Sequence, residues 1–147
     1  MLPLERASTG GFVMIGGPPP PRPAEGTALD RFTRWLTALG DALEAADADA
    51  LKPLFTVEAT FAPDPFAPLV QGKRAVVERL AGEAAGSPGL RFEARVLGAG
   101  ETYGVAHIRH RLDVRGRTVD AVLLVAMDGR GRCTALRRWA HVGDATG

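Results

Sequence analysis

The stretch YGVAHIRHRLDVRGRTVDAVLLVAMDGRGRCTALRRW, Tyr103 to Trp139, decides the reading of this chain. Its side chains alternate in kind. Ala106, Ile108, His110 and Leu112 fall on one side, and His107, Arg109, Arg111 and Asp113 on the other, the period-two signature of a strand with one buried face. Arg115-Gly116 turns the chain, and Val119, Ala121, Leu123, Val125 and Met127 continue the apolar face on a second strand. Asp128-Gly129-Arg130-Gly131 is a second turn, and Cys133 to Trp139 a third strand. With a two-residue first turn, His110 lies opposite Ala121, and Arg111 opposite Asp120 as a cross-strand ion pair on the outer face.

Working outward, Leu90, Phe92, Ala94 and Val96 alternate with Arg91, Glu93 and Arg95, which adds a strand ahead of these three. Before it, Gly72-Lys73-Arg74 opens a helix with Val76, Val77, Leu80 and Ala84 on one side, ended by Gly86-Ser87-Pro88-Gly89. Pro63-Asp64-Pro65-Phe66-Ala67-Pro68 has three prolines in six residues and reads as a stiff loop after a short extended piece, Val57 to Phe61. Thr27 with Asp30 forms a capping box for a helix whose Leu29, Phe32, Leu36, Leu39 and Leu43 recur at spacings of three and four. Trp35 lies beside that stripe, in the core or at the rim of a cavity. Asp47 and Asp49 are candidate caps of a shorter helix that tolerates Pro53 only in its first turn and buries Leu51, Leu54 and Phe55. Residues Met1 to Gly26, with Gly10-Gly11, Gly16-Gly17 and four consecutive prolines from Pro18, read as a Gly/Pro-rich leader. The expected organisation is a leader over 1–26, one domain over 27–142 and a tail over 143–147. Its class is α+β, three helices covering one face of a strongly curved antiparallel sheet.

Composition narrows the function. The chain has 147 residues, 46% hydrophobic and 24% charged, enough for one core. No apolar run reaches membrane-spanning length, so no membrane partner and a cytoplasmic location are expected. From Leu90 onward ten arginines face six acids, but they alternate with apolar residues along strands and carry no nucleic-acid motif, so nucleic-acid binding is not expected. Cys133 is the only cysteine, which rules out an internal disulfide or cysteine metal cluster. His107 and His110 are three apart on a strand and point to opposite faces, so no metal site is expected there. Nothing resembles a dinucleotide loop, and no cofactor is expected.

The element order, with Asp64-Pro65 ahead of Gly72-Lys73-Arg74 and a glycine hairpin from Asp128 to Gly131-Arg132 before Trp139, resembles the SnoaL-like group of the NTF2-like superfamily. The likeness runs from about Thr27 to His141. It implies a cone-shaped α+β barrel whose long first helix and bent sheet enclose a cavity open at one end. Members include ketosteroid isomerases, polyketide cyclases, dehydratases, epoxide hydrolases and proteins that only bind or dimerise. Carried over, Asp64 falls at or near the isomerase general base, while Leu39 and Leu123 stand where that enzyme has its oxyanion-stabilising tyrosine and aspartic acid. Apolar side chains there forfeit the stabilisation of an enolate, which disfavours steroid isomerisation by that route. The acid-arginine-acid trio of the epoxide hydrolases is not evident on the apolar strand face.

His110 is the one ionisable residue in the middle of that face. Burial would keep it neutral, as a general base near neutral pH requires. It is either paired with Asp64 as an acid-base couple at the cavity or hydrogen-bonded within the core. The expected function is that of a small-molecule protein with an apolar pocket, as an isomerase, cyclase or dehydratase on a cyclic apolar or aromatic substrate. The alternative is a non-catalytic binding or dimerisation module. Asp64 and His110 are the candidate catalytic residues, and Trp35, Leu39, Phe61, Leu112, Ala121, Leu123 and Trp139 the candidate substrate contacts. Val122, Leu124 and Leu136 place apolar area on the outer sheet face, where a homodimer contact is expected. Of the adjacent Arg137 and Arg138, one must face the cavity, and an inward arginine would argue for a carboxylate or phenolate ligand.

Overall fold

A computed structural model describes residues 27–112 and 117–144. The expected leader, the Arg115-Gly116 turn and the last three residues lie outside them, as does the side chain of Leu112. Helices α1 (Ala28–Glu44), α2 (Ala48–Leu51) and α3 (Lys73–Ala85) accompany six strands: β1 (Phe55–Ala62), β2 (Val70–Gln71), β3 (Arg91–Gly100), β4 (Tyr103–Leu112), β5 (Arg117–Met127) and β6 (Cys133–Asp144). The strands form one sheet in the order β2-β1-β6-β5-β4-β3, open at β2 and β3. All neighbours are antiparallel except β1 and β6, a parallel pair that local patterning does not reveal.

Each helix is explained by its sequence. The Thr27 hydroxyl accepts from the Asp30 backbone N–H at 3.0 Å while the Thr27 N–H donates to the Asp30 carboxylate at 3.1 Å, so the capping box closes with Asp in place of Glu. The stripe Phe32, Leu36, Leu39 and Leu43 is buried against the sheet. Trp35 is buried with it, stacked on Phe32, edge-on to Phe55, and its indole N–H donates to the Leu54 carbonyl at 2.9 Å. Asp47 caps α2, and Pro53 sits at the start of a 3-10 turn, Lys52–Leu54, where its missing N–H costs nothing. Phe55 begins β1 rather than closing the helix, and is fully buried.

Two turn lengths set the inward-facing residues. Leu112 pairs with Arg117, so four residues connect β4 to β5 where two were expected. Partners therefore move by two positions: His110 pairs with Val119, Ile108 with Ala121, and Arg109 with Asp120. A shift of two preserves the faces, so Ile108 is buried and Arg109 exposed as expected. The predicted Arg111–Asp120 pair does not form. Asp120 instead holds the His107 imidazole and approaches Arg109 at 3.6 Å, while Arg111 lies 3.6 Å from Glu93.

The second hairpin changes a face. Asp128 accepts the backbone N–H groups of Arg130 and Arg132, both at 2.9 Å, and Gly131 takes φ +77°, a left-handed conformation suited to glycine. Met127 pairs with Cys133 but Ala126 pairs with Ala135, so Thr134 is the extra residue of a β-bulge. Cys133 and Leu136, three apart, are consequently both buried. Leu136 thus belongs to the core and not to the outer face, and Arg138, paired with Leu123, turns inward while Arg137 turns out over Trp139. Gly143 and Asp144, expected in a tail, extend β6.

Candidate functional site

Between the C-terminal halves of α1 and α3 and the inner faces of β3 to β6 lies a cavity of about 350 Å³. Its wall is apolar over most of its extent, including Leu39, Phe61, Leu80, Phe92, Leu123 and Leu136. Four polar groups interrupt it: His110 from β4, Arg138 from β6, Glu83 from α3 and Ser87 just beyond α3.

Arg138 is the only one of the paired arginines on this side because the bulge puts it there. Its Nη1 and Nη2 donate to Glu83 Oε1 and Oε2 at 2.9 and 3.1 Å, a bidentate fork. Its Nε donates to the Pro63 carbonyl at 3.0 Å, and its guanidinium carbon lies 5.0 Å from the centre of the Phe61 ring. Arg79, one turn back on α3, donates to Glu83 Oε2 at 3.0 Å from the solvent side. Burial alone would raise the Glu83 pKa, but the hydrogen bonds and charges of Arg138 and then Arg79 bring it below the ordinary value. Glu83 is therefore an anion committed to two arginines.

His110 sits against Phe92, ring centres 5.3 Å apart. Its Nε2 is buried and meets no hydrogen-bond partner among the described residues. Burial, reinforced by the Arg138 charge and opposed by Glu83, lowers its pKa to about 4, so the ring is neutral at pH 7. A buried ring nitrogen left without a partner is costly in a folded protein and marks a place where an incoming polar group would be welcome.

The structure brings some of the anticipated residues together and separates others. Leu39, Phe61 and Leu123 line the cavity with His110. Asp64 does not: it is exposed in its loop, where its Oδ1 accepts from the Phe66 N–H at 3.0 Å, and only the neighbouring Pro63 carbonyl reaches the site. Asp64 and His110 therefore do not line the same cavity. Trp35 is core, and Ala121 is buried beside Ile108 away from the cavity wall. Trp139 points to the other side of the sheet, 41% exposed, into a shallow groove with Pro65, His107, Asp120 and His141. Glu83 is the residue that strand-centred reasoning missed. The signal was present, since Val76, Leu80 and Glu83 are spaced four and three along α3, placing a carboxylate at the end of the buried stripe. Cys133 is fully buried in the core, where burial pushes its thiol up to about 12, a structural rather than reactive state. Among the described residues no three His, Cys, Asp or Glu side chains converge as metal ligands, and no helix is long and apolar enough to cross a membrane.

A helix-covered, open and bent sheet around an apolar cavity is the architecture of the NTF2-like proteins. The SnoaL-like domain description matches residues 32–139, most of the chain, and the chain belongs to that family. No curated protein matches it in sequence. Among solved structures, the epoxide hydrolase/cyclase-like enzyme SalBIII, described in pyran ring formation in the polyether salinomycin, is 15% identical with a TM-score of 0.68, over 78% of this chain and 96% of that one. An NTF2-like protein of unknown function from Mesorhizobium loti is 22% identical with a TM-score of 0.63, over 76% and 92%. A protein with a cystatin-like fold from Silicibacter pomeroyi is 13% identical with a TM-score of 0.61, over 73% of each. At these identities the likeness is one of fold.

Proposed function

We propose that this chain binds a small apolar molecule in the cavity and moves a proton on it without a cofactor, as an isomerase, cyclase or dehydratase does. The observation that carries the proposal is the buried, unpartnered Nε2 of a neutral His110 whose ring lines an apolar enclosure. A neutral imidazole can hydrogen-bond a substrate hydroxyl or carbonyl and take or return its proton as charge develops, while the Glu83–Arg138 pair supplies a fixed dipole beside it. A base whose conjugate acid is this acidic is selective: it accepts a proton only where the substrate and Glu83 compensate the new charge. Membership of the SnoaL-like family and the fold shared with a cyclase-like enzyme support the same class of chemistry.

A second reading, a ligand-binding module without turnover, is favoured by the placement of Asp64 outside the cavity and of Glu83 in an ion pair. Neither carboxylate is free to act as the second proton-transfer group. Solvent-deuterium exchange at the α-carbons of a cyclic ketone, 2-tetralone, separates the two. Turnover predicts exchange above buffer that falls to background in His110→Phe. Binding with no exchange beyond buffer would leave the module reading, and absence of binding by any apolar cyclic probe would remove both.

A further inference from the structure

The inward arginine invites an anionic ligand, yet its bidentate fork, its Nε edge and one of its faces are taken. Glu83 holds the two-nitrogen fork, Pro63 the Nε edge and Phe61 a face. An incoming carboxylate would have to displace Glu83 from the bidentate edge it needs for itself, or accept the two remaining N–H groups beside a like charge. Resting on the reading of the cavity as a ligand pocket, we infer that its ligand is an uncharged molecule offering one hydroxyl or carbonyl oxygen to His110 Nε2, and that carboxylates are selected against.

Charge accounting within the cavity supports this. Arg138 and Glu83 cancel, and His110 is neutral, so an added anion arrives uncompensated among apolar walls, where desolvation is most costly. Arg79 also touches Glu83, but its side chain is 46% exposed and its charge is screened by solvent. Protonating His110 would restore neutrality. With its pKa lowered to about 4, the protonated ring makes up only about one part in a thousand at pH 7. An uncharged oxygen meets no such penalty and satisfies the one buried side-chain nitrogen left open among the described residues. The Glu83–Arg138 pair therefore acts as a filter on ligand charge, and His110 as the point that fixes ligand orientation.

Three probes with one skeleton test this on the full chain at pH 7: naphthalene, 2-naphthol and 2-naphthoate, titrated by calorimetry or probe fluorescence. The expected order is 2-naphthol tightest, naphthalene weaker by roughly tenfold, and 2-naphthoate weaker than 2-naphthol by about a hundredfold or more. In His110→Phe the advantage of 2-naphthol over naphthalene should vanish. In Glu83→Gln, which frees the Arg138 fork, 2-naphthoate should gain at least about tenfold while 2-naphthol changes little. Wild-type protein that binds 2-naphthoate as tightly as 2-naphthol would overturn the inference while leaving the cavity a ligand site. Failure of all three probes to bind would overturn it together with the pocket reading. The wild-type comparison decides without either variant, so a variant that folds poorly does not obscure the result.

Discussion

Lowering the pH from 7 to 5 should weaken the fold by roughly 2 kcal/mol, with His110 responsible for most of the loss. An unfolded histidine titrates near 6.5 and His110 in the folded chain at about 4. Between those values the unfolded chain binds a proton that the folded chain does not, so stability falls as pH falls. The loss begins near pH 6.5, levels off below about 4, and approaches roughly 3 kcal/mol in full. Glu83 shifts in the carboxylate sense: its pKa is lowered on folding, so its contribution is present above about 4.5 and is lost below it. Measurement at pH 7, 6 and 5 therefore separates the histidine from the carboxylate. Urea unfolding, followed by tryptophan fluorescence and fitted for midpoint and slope at each pH, reads the loss directly. The same series on His110→Gln, which cannot titrate, should be flatter by most of the 2 kcal/mol. An equal pH dependence in the two proteins would refute the assignment of a neutral, desolvated ring at this position. A ligand that hydrogen-bonds the neutral ring should carry the loss to lower pH and leave the slope between pH 7 and 5 nearly unchanged, because the folded ring already binds almost no proton there.

Further outcomes follow from the same contacts. Glu83→Gln removes the charge that holds a mostly buried Arg138, whose side chain is 17% exposed, and should cost about 1–2 kcal/mol, read from the urea midpoint; the figure is set below that of a fully buried pair because Glu83 is 35% exposed. Gly104→Ala places a methyl group 2.3 Å from the Phe32 ring and should destabilise by about 1–3 kcal/mol, whereas Gly129→Ala, with nothing within 4 Å, should shift the melting temperature little. Asp64→Asn should leave probe binding and exchange unchanged, since the side chain serves only its own loop; a tenfold loss in either would return Asp64 to the site. We propose a homodimer through the outer sheet face, argued from Val122, Leu124 and the half-exposed Trp139, for which sedimentation at micromolar concentration should show twice the chain mass, reduced to one by Val122→Glu.

The face each strand buries was legible where the signal is local. Ile108 against Arg109, and Leu123 against Asp120, sort themselves by alternation, and a two-residue error in the β4–β5 connection left those faces intact. The capping box of Thr27 and Asp30 was equally readable, because both partners lie within one turn. What escaped depends on counting residues through a turn or on contacts distant in sequence. Leu136 and Arg138 exchanged sides with their neighbours through one bulged residue, which no side-chain pattern announces. Glu83 and Arg138 meet from elements 55 positions apart, and the Pro63 carbonyl that completes their cluster belongs to a loop singled out for a different group. His110 is identifiable as a titratable residue on an apolar face, but the groups that share its cavity, Glu83 and Arg138, are not, because they reach it from elements distant in sequence.

The extra residue at Thr134 also bears on how such a pocket can change over generations. Beyond the bulge, β6 carries two interleaved sets of side chains, Leu136, Arg138, Ala140 and Val142 on one face and Arg137, Trp139 and His141 on the other. Were Thr134 instead taken into a regular ladder opposite Ala126, the two sets would exchange faces, bringing an indole and an imidazole indoors where Ala140 and Val142 stand. Arg137 would then stand opposite Leu123, where Arg138 had been. A lineage could refurnish the enclosure by a one-residue change of pairing, with no substitution among the residues of β6 beyond the bulge. The bulge is in this sense an inherited variable of ligand choice, and in relatives of this chain its position merits alignment as carefully as the residues that line the wall.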